Sequence, residues 1–289
     1  MERELWQRIS QMITQIDRHW DRGEYEHSVG RVVRVYLWSV LHERSVHWAC
    51  QRANWMGVRP PQNLPSQSRM SRRLRQDDTR RFLATLLDRL SDSLGPHLLK
   101  IVDGMPLTVS RHSQDQEATF GYGAGGMGRG YKLHAIYGRG SMPLAWAVHP
   151  LNVDERRAAA ELLKQLPDEG YLLADRNYDA NWFYDEAKQQ GQQLVAARRY
   201  GSGRGLGHRR HSAHRLRSVC LLEGPGEFGR SLYQHRREIE THFGNLKSFG
   251  GGLTHLPPWV RGLQRVRTYV SAKLIIRAAK FLENRKGAA

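Results

Sequence analysis

The chain has 289 residues and carries 45 Lys and Arg against 28 Asp and Glu, a formal net charge of +17. That length suffices for one large or two modest domains, and the charge excess points to an extended polyanion, nucleic acid first. Two cysteines, Cys50 and Cys220, are too few for a disulfide framework or a thiolate zinc site, and no apolar run approaches the ~18 residues of a membrane span. The first residues carry acids where a signal peptide needs an apolar core, so a cytoplasmic protein with no membrane partner is expected.

From Met1 to about Asp92 the apolar residues recur at helical spacing. Trp6, Ile9, Ile13 and Ile16 form one stripe, and Val29, Val32, Val33, Tyr36, Leu37 and Val40 a second; both read as core faces. A short helix near Ser45 to Gln51 precedes a loop with Gly57, Pro60 and Pro61. Ser66 then stands as N-cap of a basic helix. On that helix Gln67 and Arg69 lie in the first turn, and Arg72, Arg73 and Arg75 are placed for phosphates, the disposition of a helix entering a major groove. A merely basic surface helix is the alternative, because the loop before it is longer than in a strict helix-turn-helix. Asp78 to Leu90 closes the module, and Ser91 to Pro96 reads as a linker. The expectation is an all-α DNA-binding domain over residues 1–95.

Beyond the linker the periodicity changes to strand, strand, strand, helix, strand, helix, strand. The strands are expected at Leu99 to Val109, Tyr131 to Tyr137, Pro143 to His149, Tyr171 to Asp175 and Gln193 to Ala197. The helices are expected at Asp154 to Leu166, whose first-turn acids suit the helix dipole, and Asn181 to Gln190. Gly121 to Gly130 reads as a glycine-rich loop. Arg198 to Arg217 contains no acid and reads as a loop that orders on a nucleic-acid backbone. His208, His211 and His214 within it have metal-like spacing but no neighbouring carboxylates or thiolates, which argues against a histidine metal site.

Asp103 ends the apolar run Leu98 to Val102 and Asp175 ends Tyr171 to Ala174, so each is expected on a buried strand or at its end, where an acid is costly unless paired or bound to a cation. Downstream, Tyr233-Gln-His-Arg236-Arg-Glu-Ile-Glu240-Thr-His-Phe-Gly-Asn-Leu-Lys247, read as one α-helix, gathers Tyr233, Arg236, Glu240 and Lys247 within an arc of about 60°. Glu238 falls outside that arc. A solvated face with an Arg236–Glu240 ion pair is the plainer reading of the helix alone. Two strand-borne aspartates followed by this tetrad closely resemble the DDE transposases of bacterial insertion sequences.

The resemblance implies an α/β, ribonuclease H-like mixed sheet with flanking helices over residues 96–289, in which the first and fourth strands are neighbours. It implies Asp103, Asp175 and Glu240 as catalytic and metal-binding residues. Three converging carboxylates repel unless cations neutralise them, and hard oxygen donors select two Mg²⁺, with Mn²⁺ as a substitute. Asp103 would bridge the ions, and an activated water or 3′-hydroxyl would attack a phosphodiester in line. By the same resemblance Tyr233, Arg236 and Lys247 grip phosphates of the transposon end, and Lys132, in Gly-Tyr-Lys-Leu-His, contacts DNA or is an ordinary exposed strand lysine. The implied activity is cleavage of inverted-repeat ends and joining of their 3′-hydroxyls to target DNA, by a homodimer or higher oligomer on double-stranded DNA. A last amphipathic helix, with Leu263, Val266, Val270, Leu274 and Phe281 inward, would serve packing.

The chain departs from the family pattern at Asp175-Arg176-Asn177-Tyr178, where relatives carry a small residue before the tyrosine. Asparagine is expected to keep the turn by accepting a left-handed backbone. The segment between Asp175 and Glu240 is also too short for the β-rich insertion of some relatives, which leaves hairpin formation open. Trp182 is then a candidate for stabilising a flipped base, or a core residue at a helix start. The alternatives are a ribonuclease H-like nuclease without strand transfer, which would not need the tetrad, and a transposase-derived DNA-binding protein, in which loss of a carboxylate would be expected.

Overall fold

The computed structural model describes residues 2–20, 25–90, 97–123, 126–138, 140, 142–200, 205–208, 210–248, 253 and 255–287. The chain divides into two compact units, the first made of 1–92, 113–115 and 246–289, the second of 93–112 and 116–245. The linker expected at Ser91 to Pro96 lies outside the described residues.

The first unit is helical. It contains α1 (Glu2–Asp17), α2 (Val29–Leu41), α3 (Val46–Ala49), α4 (Gln67–Arg73) and α5 (Asp77–Leu90). Trp6, Ile9, Ile13 and Ile16 of α1 are buried as their spacing requires, and α2 buries Val29, Val32, Val33, Tyr36, Leu37 and Val40. Asp17 ties the two helices, accepting from the Ser28 hydroxyl at 2.8 Å and the Gly30 amide at 2.9 Å. Trp38 stacks on Trp55 at 5.0 Å, and the edge of Trp6 meets both rings. The last helix of the chain (Leu263–Gly287) also belongs here, burying Val266, Val270 and Leu274 where it packs on α1, α2 and α5. The boundaries expected from sequence placed that helix in the second domain; its apolar stripe instead completes the helical core.

The second unit is a six-stranded sheet with helices on both faces. Its strands are β1 (Leu99–Thr108), β2 (Thr119–Gly123), β3 (Gly126–Tyr137), β4 (Pro143–Pro150), β5 (Gly170–Ala174) and β6 (Gln192–Ala196). β1 pairs antiparallel with β3 and parallel with β5, β5 pairs parallel with β6, and β4 and β2 pair antiparallel with β3. This mixed order is the ribonuclease H-like arrangement. The helices α6 (Glu155–Leu163) and α7 (Asn181–Gln189) cover one face, where Val102, Ile136, Leu172, Ala174, Leu194 and Ala196 meet Ala159, Leu162, Leu163, Phe183, Tyr184 and Ala187 in one core cluster. Toward the other face come α8 (Ala213–Glu223), α9 (Phe228–Gln234) and α10 (Glu238–Ser248): Phe228 of α9 meets the edge of Tyr171, and His242 of α10 stacks on Tyr137 at 4.4 Å.

Three expectations are corrected. The glycine-rich stretch after β1 forms the hairpin β2–β3 rather than a loop. The basic segment ends in helix from Ala213 on; Ser212 caps α8, accepting from the His214 amide, and its own hydroxyl donates to Asp185 at 2.5 Å. The tetrad helix is broken, because His235–Arg237 forms a 3₁₀ turn between α9 and α10. From here on the final helix, Leu263–Gly287, is α11.

Candidate active site

The parallel ladder between β1 and β5 ends on Ile101 opposite Leu173. Asp103, within β1, and Asp175, just past the end of β5, each lie two residues further on, so both carboxylates face the same side of neighbouring strands, about 4.8 Å being the usual strand separation. Asp103 Oδ1 accepts from the Gly104 amide at 2.7 Å. Burial pushes its carboxyl up to about 6; the charges of Asp175 and Glu155 add to that, and the Gly104 amide and Arg236 oppose it. Asp175 caps the 3₁₀ turn Arg176–Tyr178, with Oδ1 accepting from the Asn177 amide at 2.8 Å and Oδ2 from the Asn177 side-chain nitrogen at 3.0 Å. Asn177 therefore preserves the turn by two hydrogen bonds to Asp175. Among the described residues Glu43 is the one non-glycine with positive φ, so the left-handed backbone expected at Asn177 is not what selects it.

Arg236 sits between the sheet and α10. Its guanidinium lies 3.9 Å from Asp103 Oδ2 and 3.6 Å from Glu240 Oε1. Glu240 itself is exposed, its side chain 71 % accessible, with Arg236 as its ion-pair partner. Glu238 is engaged elsewhere, with His235 Nδ1 at 2.6 Å. Lys247 is exposed in the last turn of α10.

Tyr233 is placed differently from a phosphate grip. Its hydroxyl donates to Ala174 O on β5 at 2.9 Å and accepts from the Ala197 amide just past β6 at 3.4 Å, so it pins α9 to the strand ends beside Asp175. Lys132 is not an exposed strand lysine. It is 7 % accessible, and its ammonium meets Glu155 Oε1 at 2.5 Å, leaving it committed to that carboxylate rather than to DNA. Trp182 is 45 % exposed near the start of α7, its ring edge on Phe183.

In the helical unit, Ser66 caps α4 as expected, accepting from the Arg69 amide at 3.4 Å. Gln67, Arg69 and Arg72 are exposed, with Arg69 paired to Glu26. Arg73 is not available to a phosphate. It is buried, 3.1 Å from Asp78 and 2.5 Å from Gln76 Oε1, with Tyr25 under its guanidinium at 3.8 Å.

Two residues of the site carried no functional expectation. Glu155, visible in the sequence as a first-turn acid of α6, brings a further negative charge to Asp103. Tyr178 is fully buried with its hydroxyl unpartnered, and its acidity is suppressed by burial and then by the charges of Glu155, Asp103, Asp175 and Asp154. The Asp-Arg-Asn-Tyr run was the signal for it.

The donor set suits a hard divalent cation in part. Asp103 and Asp175 lie on neighbouring strands, and Asp103 is raised first by burial and then by the charges of Asp175 and Glu155, a desolvated anion that a cation would stabilise. Glu240 faces them across Arg236, and among the described residues no group of three or more His, Cys, Asp or Glu stands close enough to hold a metal.

Asp103 within β1 and Asp175 just past β5 thus stand beside each other on neighbouring parallel strands of a ribonuclease H-like sheet, faced by the turn and helix that carry Arg236 and Glu240. The family profile described as a transposase DDE domain matches residues 94–277, and the chain belongs to that family. Its fold is similar to a cryo-EM structure of a piggyBac transposase synaptic complex with hairpin DNA, with a TM-score of 0.50 at 9% identity, covering 99% of this chain and 73% of that one. A search of curated proteins finds no match.

Proposed function

We propose that this transposase cleaves the inverted-repeat ends of an insertion sequence and joins the free 3′-hydroxyls to target DNA. The observation that carries the reading is the register of Asp103 and Asp175 on adjacent parallel strands, with Arg236 and Glu240 facing them, inside the matched domain. Asp103, Asp175 and Glu240 would hold the divalent cations, Mg²⁺ or Mn²⁺. When bound, such ions polarise the phosphodiester and lower the pKa of an attacking hydroxyl.

The chain's own groups have separate tasks. The Gly104 amide and the two Asn177 nitrogens fix the carboxylates of Asp103 and Asp175 before any ligand arrives. Arg236 neutralises Asp103 and Glu240 and, once they are satisfied otherwise, presents its guanidinium to a phosphate. Lys247 offers a second cation on the same helix, and Trp182 an exposed ring for a displaced base. Tyr233 positions α9 against the strand ends. In the helical unit Gln67, Arg69 and Arg72 of α4 are the groups proposed to read and hold duplex DNA, with Arg73 fixing the helix. The solved neighbour is a synaptic complex with DNA, which supports a working assembly of two or more copies here. No helix among the described residues is long and apolar enough to cross a membrane.

The test is incubation of the protein with a pre-nicked inverted-repeat end and a target plasmid in Mg²⁺, scoring joined product. Joining of the 3′-hydroxyl is expected. Cutting without any joining would replace the transposase reading with a nuclease. Binding without either reaction would leave a DNA-binding protein.

A further inference from the structure

The β2–β3 hairpin has two unlike faces. Its register pairs Phe120 with Arg129 and Tyr122 with Met127, and these four side chains share one face because alternate residues of a strand point the same way. Thr119, Gly121, Gly123, Gly126, Gly128 and Gly130 make the other face. There the missing side chains allow close approach: a Cβ on Gly121 would lie 2.7 Å from Leu151 O, and one on Gly123 2.9 Å from Pro106 Cβ. At Gly121 and Gly123 the glycine face is thus pressed onto the protein, while Gly126 at the hairpin end is open, and the aromatic face is left outward. Phe120 is 62%, Tyr122 73% and Met127 61% exposed.

Exposed large apolar side chains gathered on one strand pair call for an occupant. Its chemistry is narrowed by three features. The Arg129 guanidinium lies 5.9 Å from the centre of the Phe120 ring, held by its Nε bond to Ala118 O at 3.0 Å, so a cation adjoins the aromatic surface. None of these four residues is acidic, and the chain as a whole carries +17, which favours a polyanion over a second copy of itself. Phe120 and Tyr122 are two residues apart on one strand, roughly 6.6 Å by strand rise. That separation equals about two base-stacking intervals, room for one flat ring between them. A duplex has its bases already stacked; an unpaired nucleotide does not.

We infer that the outward face of the β2–β3 hairpin is a stacking site for unpaired nucleotides at a DNA end, taking a base between Phe120 and Tyr122 with Arg129 on the adjoining phosphate. The inference rests on the DNA reading above. Base stacking on exposed aromatic rings is sequence-tolerant, so the site recognises the unpaired state rather than a sequence. It would hold the strand that chemistry has just freed.

The experiment compares the full chain's affinity for a blunt duplex and for the same duplex with a three-nucleotide 3′ overhang, by fluorescence anisotropy at fixed salt. The overhang should bind about ten-fold tighter. The Phe120→Ala/Tyr122→Ala double variant should lose that preference while keeping its blunt-duplex affinity and its melting temperature, since both side chains are exposed. Arg129→Ala should reduce the preference and the salt dependence of overhang binding together. Equal affinity of the wild type for both duplexes, or an undiminished preference in the double variant, overturns the stacking site while leaving DNA binding intact. A double variant that dissociates into smaller species on sedimentation overturns it in favour of contact between copies. Failure of the wild type to bind the blunt duplex counts against the DNA reading itself.

Discussion

The two aspartates and the glutamate of the site are held in unlike ways. Asp103 stands on β1 and Asp175 directly after β5, and they accept backbone amides at 2.7 and 2.8 Å, so their positions are set by the sheet and its local turns. Glu240 stands on a helix, is largely exposed and is paired with Arg236 alone at 3.6 Å. A carboxylate oriented by amides is preorganised, whereas one held by a surface ion pair is easily moved, because such pairs contribute about 0–1 kcal/mol. The sheet therefore builds half of the site in advance. On the proposed reading, Glu240 is the carboxylate whose position depends on Arg236.

The sharpest way to break this contrast is to neutralise each acid in turn. Asp103→Asn, Asp175→Asn and Glu240→Gln should each lower end cleavage by about 10³-fold or more while sparing DNA binding, whereas Glu238→Gln should leave it unchanged. Equal losses at Glu238 and Glu240 would remove Glu240 from the site.

A second comparison tests the sheet-borne half through its support. Lys132→Met leaves Glu155 as an uncompensated, poorly solvated carboxylate beside Asp103, and should destabilise the fold by about 3 kcal/mol in denaturant unfolding. Adding Glu155→Gln should recover most of it. If the double variant is as unstable as the single one, packing rather than charge accounts for Lys132.

Arg236→Ala addresses the helix-borne half. Losing a group that places the scissile phosphate should cost about 10²-fold in cleavage and joining together, measured on the same pre-nicked substrate. The fold should be unaffected. A change in joining alone would assign Arg236 to target DNA rather than to the end.

The smallest effect is on stability and has the opposite sign from the activity change. The Asp103 carboxyl titrates near 6 in the folded chain against an ordinary 3.8. Between those values the native state holds a proton that the unfolded chain has released, so stability falls as pH rises through this window and the deficit is complete above about 6. Asp103→Asn should accordingly raise stability by about 1–2 kcal/mol at pH 7 and make little difference near pH 4. An Asn variant less stable than wild type at pH 7 would show that the Gly104 hydrogen bond to the carboxylate outweighs the cost of burying its charge.

Much of this was readable in the residues. The apolar stripes of α1 and α2 and the apolar runs that lead into Asp103 and Asp175 follow from periodicity, because burial repeats at 3.6 or 2 residues. What periodicity could not give was partnership at a distance. Arg73 and Arg72 are adjacent and equally basic in sequence, yet one is sequestered by Asp78, Gln76 and Tyr25 and the other is exposed. Lys132 was likewise inseparable from a surface lysine until Glu155 met it. The β2–β3 hairpin escaped notice because glycines usually mark loops, and here they permit one sheet face to lie against backbone. α11 has the expected stripe, but a stripe does not say which core it fills.

The three residues His235–Arg237 set the rotational phase between Tyr233 and everything downstream of it. A 3₁₀ turn advances about 120° and 2.0 Å per residue, an α-turn about 100° and 1.5 Å. Rewinding those three residues as α-helix would turn α10 by about 60° and draw it in by about 1.5 Å relative to α9, whose tyrosine is anchored to the sheet. The winding of these three residues therefore fixes the direction in which Glu240 points relative to the Tyr233 anchor.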